Sequence, residues 1–298
     1  MEKRIEETGM RVLIAGASGM IGSFLAPFLS GEGYEVSRLV RHEPGSNDIS
    51  WEPDEGTIDT SGLEGFDAVI NLATMPWPAR WTPEAKNTIR ANRLATNGLL
   101  AVNLAKCQRK PSLLVCSSGM GIYPSSGDQE LTEDSPLGTN FLASLQRDGE
   151  ATAMQASSVG IRVVNLRTPA VVGGQAVRRA FGRIGNGQQW TSWVGRDELI
   201  NVIKFILENT SVSGPVNPCS PNPILNIDYV ATASRVLGTK PGMPIPAFII
   251  RLMLGEMADS LMLSSRRMIP QKLLNAGYQF RFPELESALR HELEVVEV

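Results

Sequence analysis

Along the first half of the chain, short apolar runs alternate with segments of helical period. Arg11–Ala15 (RVLIA), Glu35–Val40, Ala68–Leu72 (AVINL), Leu113–Cys116 and Arg162–Leu166 (RVVNL) read as strands. Most are nearly all apolar, as strands covered on both faces must be. Between them, Gly19–Ser30, Thr82–Lys106 and Phe141–Ser157 read as helices. Ile21, Phe24, Leu25 and Phe28 share one face of the first, and Thr82 with Pro83 makes a cap and first position for the second. Such alternation predicts an α/β fold, a doubly wound parallel sheet with right-handed crossovers.

After Arg167 the pattern loosens. Thr168–Gly195 is rich in glycine, with Gly174, Arg178, Arg179 and Arg183 among its residues. Asp197–Asn209 reads as a helix capped by Asp197, and Pro215–Asn217 as a short strand. Helices are expected near Ile227–Leu237, Ala247–Leu254, Arg266–Ala276 and Pro283–Leu293, separated by proline-containing loops. The expected organisation is a sheet domain over 11–167 and a smaller, mostly helical lobe over 168–298, the two interleaved, with the helix near 197–209 returning to the sheet domain.

Composition narrows the function classes. A formal net charge of −3 over 298 residues sets up no field to gather nucleic acid or an anionic membrane. Three cysteines, Cys107, Cys116 and Cys219, make no CxxC pair and sit in apolar stretches, which points to a reducing, cytoplasmic location. The first ten residues are charged and lack the apolar core of a signal peptide; Met10 is an alternative start. The longest apolar stretch, Ile245–Leu263, is broken by Arg251, Glu256 and Asp259, so it suits an amphipathic helix on a core better than a membrane span.

The turn after the first strand carries the chemistry. Gly16, Gly19 and Gly22 follow Arg11–Ala15 and open a helix. Gly16 allows a sharp turn, Gly19 removes a Cβ where backbone approaches a pyrophosphate, and Gly22 permits close helix–sheet packing. The helix start offers free N–H groups and a positive dipole end to phosphates. This is the context of a Rossmann-type dinucleotide site, whereas a purely structural turn would gain nothing from three glycines. At the end of the second strand, where an NAD-selective site keeps a carboxylate for the ribose 2′-hydroxyl, stands Arg41, with Arg38 three residues earlier. A guanidinium there suits the extra 2′-phosphate of NADP(H).

Further segments accompany this turn. Gly16-x-x-Gly19-x-x-Gly22, Asp67-Ala68-Val69-Ile70-Asn71-Leu72-Ala73, Asn92-Arg93-Leu94-Ala95-Thr96, and Ser117-Ser118 followed by Tyr123 together resemble the extended short-chain dehydrogenase/reductase superfamily. A narrower set includes Trp51-Glu52-Pro53, Arg80-Trp81-Thr82, Gly185-x-Gly187-x-Gln189-Trp190, Gly214-Pro215-Val216-Asn217 and Leu254-Gly255-Glu256. It resembles the epimerase-family branch of NADP-binding, nucleoside-diphosphate-sugar-epimerase-like proteins, from Arg11 to about Leu289. The resemblance implies a Rossmann-type part, a C-terminal substrate lobe and an NADP(H) cofactor. It implies cofactor contacts from Gly16, Ser18, Gly19, Met20, Ile21 and Gly22 at the turn. Arg41, Leu72, Ala73 and Thr74 would follow at the next strand ends, then Asn92, Ser117 and Pro169. A homodimer is the superfamily's habit. The chain departs from the branch at Thr74, Gly149, Pro169-Ala170 and Gly195.

Active members of the superfamily use a Tyr-x-x-x-Lys pair, the lysine lowering the phenol pKa from its usual 10 or so. The corresponding helix here reads Asn140-Phe141-Leu142-Ala143-Ser144-Leu145-Gln146-Arg147, with no such pair. The remaining catalytic candidates are Ser118, to hydrogen-bond a carbonyl or hydroxyl, and Tyr123, as a general acid if a cation depresses its pKa. Their alternatives are a strand-end cap and half-buried packing. Arg80, Arg93 and Arg167 are candidates for an anionic substrate group, and Arg80 with Trp81 for a cation–π pair. Trp190 and Trp193 either wall a ligand or pack in a core. His42 and His291 match no metal-ligand spacing, and no Gly-x-Ser-x-Gly elbow occurs. Two readings stand: an NADP(H)-dependent oxidoreductase or epimerase-like enzyme on a small hydroxyl or carbonyl substrate, a nucleotide-sugar relative among the candidates, and a catalytically silent NADP(H)-binding regulator or scaffold that engages a protein partner.

Overall fold

The computed structural model describes residues 9–76, 78, 80–173 and 182–294. The charged extension before Gly9, and Gly174, Arg178 and Arg179, lie outside the described residues. The described chain forms two compact units. The first takes in the chain up to Met75, then Asn92–Ser117 and Glu150–Asn165; the second takes in Pro76–Ala91, Ser118–Gly149 and everything from Leu166. The chain thus crosses between the two units several times, because segments that follow strand ends group with the second unit.

The sheet of the first unit is built from β1 (Arg11–Ala15), β2 (Glu35–Val40), β3 (Asp48–Glu52), β4 (Thr57–Ile58), β5 (Ala68–Asn71) and β6 (Leu113–Gly119). After the short β7 (Glu130–Leu131) comes β8 (Arg162–Thr168), and the spatial order is β8-β6-β5-β1-β2-β3-β4. β1 pairs in parallel with β2 and β5, β5 with β6, and β2 with β3. The reversal of strand order on either side of β1 creates the crevice at which doubly wound folds bind ligands. Helices α1 (Gly22–Gly31), α2 (Pro83–Lys106) and α3 (Phe141–Met154) fill the crossovers. Leu13, Val69, Leu100, Leu104, Leu114 and Val163 anchor one continuous core, completed on the β3 side by Ile49 and Trp51. β3 escaped the sequence reading because only those two of its five residues face inward, too short an alternation to stand out.

In the second unit, helices α4 (Arg196–Glu208), α5 (Asn226–Val236), α6 (Ala247–Leu254), α7 (Gln271–Asn275) and α8 (Leu285–Glu294) are joined by short two-stranded ladders. The helix expected to rejoin the sheet domain, α4, groups here instead. It starts one residue early, with Gly195 as its cap, so Asp197 sits in the first turn, where a carboxylate favours the dipole. The helix expected over Arg266–Ala276 is also corrected. Arg267–Met268 is a strand paired with β7, and only Gln271–Asn275 is helical, because Pro270 cannot continue a helix backwards. A buried carboxylate organises this unit. Glu198 on α4 is 2% exposed and accepts hydrogen bonds from the Tyr278 hydroxyl and from the backbone N–H groups of Arg281 and Phe282, the latter two at 2.9 Å. Trp193 is packed in a core with Val172, Leu285 and Leu289, so the packing alternative holds for it. Among the described residues no helix is long and apolar enough to cross a membrane.

Candidate functional site

The glycine turn is shaped by two backbone approaches. Gly16 has a φ of +80°, and a Cβ there would lie 2.7 Å from the Ala73 nitrogen and the Leu72 carbonyl carbon. Only glycine satisfies both conditions. The Gly19 N–H closes the turn onto the Gly16 carbonyl at 3.0 Å. At Gly22 a Cβ would meet the Gly16 carbonyl oxygen at 2.2 Å and the Ala17 Cα at 2.7 Å. Gly22 therefore serves the turn's own closure rather than the helix–sheet distance the sequence suggested. The loop after β5 is fixed from beneath. Buried Asn71 donates to the Asn97 Oδ1 at 2.9 Å and accepts the Ala73 N–H at 3.1 Å, while the Leu72 N–H bonds the Ala15 carbonyl at 2.9 Å.

Above these strand ends the first unit opens a cleft of about 430 Å³, within the range of small-molecule sites. Gly16, Ser18, Gly19, Arg41, Leu72, Ala73, Thr74 and Asn92 line it. Of the other residues named from sequence, Met20 is 63% exposed and Gly22 is buried in the turn. Ile21 caps the helix start, Ser117 accepts from Arg93, and Pro169 is buried in the second unit. The cleft also has walls that sequence reasoning did not place there: Trp51, Pro53, His42 and Thr96. The Trp51-Glu52-Pro53 segment was visible as a motif; its two inward positions, Ile49 and Trp51, were the unused signal.

Electrostatics distinguishes the two arginines on the β2 side. Arg38 gives Nε and Nη2 to the two oxygens of Asp48 at 2.7 and 3.0 Å. The Arg38 hydrogen bond holds the Asp48 carboxyl below the usual range, so this pair is already neutralised. Arg41, at the same strand end, is exposed, and among the described residues no hydrogen bond or ion pair engages it. Its guanidinium is the cation the cleft keeps available.

The catalytic candidates read differently. Ser118 is 9% exposed at the carboxyl end of β6. Tyr123 is fully buried. Its hydroxyl donates to Asn217 Oδ1 and accepts from Arg167 Nη1, each at 2.8 Å. The depressing cation is present, but burial outweighs it and pushes the phenol up to about 12. Tyr123 is thus an interior anchor, its hydroxyl taken up by Asn217 and Arg167 and out of reach of solvent, which weighs against the general-acid role. The folded value exceeds the unfolded one of about 10, so the fold retains this proton; the resulting stabilisation, roughly 2–3 kcal/mol, is complete below pH 10 and lost as pH rises through 12. Urea denaturation at stepped pH should show the wild type losing stability faster than Tyr123→Phe between pH 10 and 12; parallel curves would contradict the burial argument.

Arg80 and Trp81 also part company. Arg80 donates Nη2 to the Leu252 carbonyl at 2.6 Å, while the Trp81 ring meets Phe141 edge-on with centroids 5.4 Å apart. Trp190 donates Nε1 to Asp128 Oδ1 at 2.7 Å beneath the Arg267 guanidinium. Among the described residues no group of three His, Cys, Asp or Glu side chains could hold a metal ion.

A model of the NAD dependent epimerase/dehydratase family matches residues 12–217, and one described as a domain of unknown function matches residues 245–292. An epimerase family protein of Mycobacterium leprae is 33% identical over 94% of this chain and 94% of its own length. The human epimerase family protein SDR39U1 is 32% identical, over 94% of this chain and 99% of its own. A crystal structure of that human protein with NADPH superposes with a TM-score of 0.87, at 31% identity, covering 96% of this chain and 99% of that one. The chain belongs to the NAD-dependent epimerase/dehydratase family, within the extended short-chain dehydrogenases/reductases, whose members bind a nicotinamide dinucleotide.

Proposed function

We propose that this protein binds NADP(H) in the cleft of its first unit and acts as an oxidoreductase or epimerase-like enzyme on a small hydroxyl- or carbonyl-bearing compound, a nucleotide-sugar relative among the candidates. The observation that carries the reading is Arg41, an unengaged guanidinium in a cleft that also contains the glycine turn. The residues fit the cofactor. Gly16 and Gly19 leave the turn without side chains where a pyrophosphate needs backbone contact, and the α1 start presents N–H groups. Arg41 would meet a 2′-phosphate; Leu72, Ala73 and Thr74 would border the cofactor on the β5 side.

The chemistry the cofactor supplies when bound is reversible hydride exchange at its nicotinamide ring. The chain's own part is to bind, orient and exclude water. Asn71 holds the Ala73 backbone, and Asn92 and Thr96 contribute polar wall from α2. Ser118 is the proposed hydrogen-bond partner of the substrate oxygen, in the absence of a Tyr-x-x-x-Lys pair. The human relative's structure with NADPH supports the cofactor choice by likeness.

Calorimetric titration tests it. NADPH is expected to bind more tightly than NADH, and Arg41→Ala to weaken NADPH about tenfold or more while leaving NADH unchanged, the loss expected for charge-assisted hydrogen bonds. Equal or better NADH affinity would remove Arg41 from its role, and no heat with either would end the cofactor reading. Turnover is followed at 340 nm with NADPH and a panel of aldehydes, ketones and nucleotide sugars, and should be lost in Ser118→Ala. The burial of Tyr123 favours a second reading, a catalytically silent NADP(H)-binding regulator with a protein partner, marked by tight NADPH binding without turnover. The reading includes a cytoplasmic location and a homodimer; sedimentation of the purified protein reports the oligomeric state.

A further inference from the structure

Three arginines were candidates for an anionic group, and the structure separates them. Arg80 is exposed and engages the Leu252 carbonyl. Arg167 is buried and gives Nη1 to the Tyr123 hydroxyl and, at 2.9 Å, to the Glu133 carbonyl. Arg93 differs from both. It lies on α2 directly after Asn92 and three residues before Thr96, two walls of the cleft. It is 7% exposed, and its Nη1 donates to the carbonyl and hydroxyl of Ser117, at 2.9 and 3.0 Å.

Both acceptors are neutral. Among the described residues no carboxylate pairs with Arg93, and its Nε and Nη2 have no protein partner. Neither of those nitrogens is sealed inside the protein. Buried Arg196 faces Glu292 at 3.2 Å, whereas buried Arg266, like Arg93, bonds only neutral oxygens, the Tyr123 carbonyl and the Ser264 hydroxyl; Arg93 is set apart by its place on α2 beside two walls of the cleft. A guanidinium cannot shed its charge, so taking it from water without a counter-charge is costly. Burial accordingly lowers its pKa from the ordinary arginine value. The Nε–Nη2 edge is the fork that matches two oxygens of a carboxylate or phosphate.

Position gives the fork a purpose. Ser117 lies near the carboxyl end of β6, and the strand order β6-β5-β1-β2 sets β6 and β2 on opposite flanks of β1. Arg41 stands at the β2 end. The two cations therefore address different anions.

We propose that the Nε–Nη2 edge of Arg93 is an anion subsite, and that the compound this protein handles carries an oxyanion, carboxylate or phosphate, which seats there. The proposal deepens the enzyme reading by assigning a substrate class, and rests on it only in taking the neighbouring cleft as the cofactor's. Arg93 keeps Ser117 oriented with one nitrogen and takes the ligand with the other two.

The test is a calorimetric titration of the free and the NADPH-loaded protein with pyruvate, inorganic phosphate and neutral pyruvamide, at matched salt. One of the anions should bind at least about tenfold more tightly than pyruvamide. Preference for pyruvate identifies a carboxylate subsite, preference for phosphate a phosphate subsite. Arg93→Gln should abolish the preference and retain NADPH binding; Arg93→Lys should restore part of it. No preference in the wild type, or an unchanged one in Arg93→Gln, overturns the proposal. Should Arg93→Gln fail to fold, the wild-type comparison and Arg93→Lys decide. If NADPH gives no heat while an anion still prefers the wild type, the cofactor reading has failed and the subsite stands.

Discussion

Gly16→Ala is expected to abolish NADPH binding and to destabilise the first unit by roughly 2–6 kcal/mol. Two effects add. A non-glycine residue at a φ of +80° pays about 1–3 kcal/mol of backbone strain. The new methyl would also sit 2.7 Å from the Ala73 nitrogen and the Leu72 carbonyl carbon, backbone atoms tied to β1 and to Asn71, and overpacking of that kind costs about 1–3 kcal/mol. Relief requires the turn to swing away from β5, which distorts the surface a pyrophosphate would touch. Gly31→Ala is the matched control. At the end of α1 its Cβ meets nothing within 4 Å, so the change should be neutral or stabilising by up to about 1 kcal/mol, through helix propensity. Urea denaturation with calorimetry on the same samples reads both effects. A Gly16→Ala protein that binds NADPH normally would refute the account of the turn.

Glu198→Ala should cost roughly 3–6 kcal/mol, a large share of the 5–15 kcal/mol by which domains are commonly stable. The lost carboxylate strands the Tyr278 hydroxyl and the N–H groups of Arg281 and Phe282 in the interior, at about 1–3 kcal/mol for each unsatisfied donor. Tyr278→Phe, which removes one donor, should cost only about 1 kcal/mol, and adding it to Glu198→Ala should recover part of the loss, since the two share one network. All these groups belong to the second unit. NADPH titration of the folded variant should therefore be unaffected, and a Glu198→Ala loss below about 1 kcal/mol would show that water satisfies the stranded donors.

The parts legible in the sequence are those whose cause is local. β1, β5 and β8 announce themselves because strands buried on both faces are continuous apolar runs, and the Gly16–Gly22 turn is contiguous. What escaped depends on partners remote in sequence. Tyr123 meets Arg167 from 44 residues away and Asn217 from 94, so no window around Tyr123 shows that its hydroxyl is taken. The Arg267–Met268 strand exists because β7 offers it a ladder, and the apolar period around it suggested a helix. Trp51 and Pro53 reach the cleft because β3 pairs with β2, Leu39 opposite Ile49, a pairing with a strand some ten residues away. Arg93 was visible as a charge, but only the structure shows which of its nitrogens are engaged.

The arrangement at the end of β2 has an evolutionary consequence. Arg38 fastens β2 to β3 through Asp48, while among the described residues no hydrogen bond or ion pair engages Arg41. On the selective role proposed for Arg41, the structural and selective duties of neighbouring cations are carried by separate side chains. Position 41 could then drift, even to an acid, without loosening the sheet, and a lineage could exchange one dinucleotide preference for the other there, whereas position 38 is bound by its architectural duty.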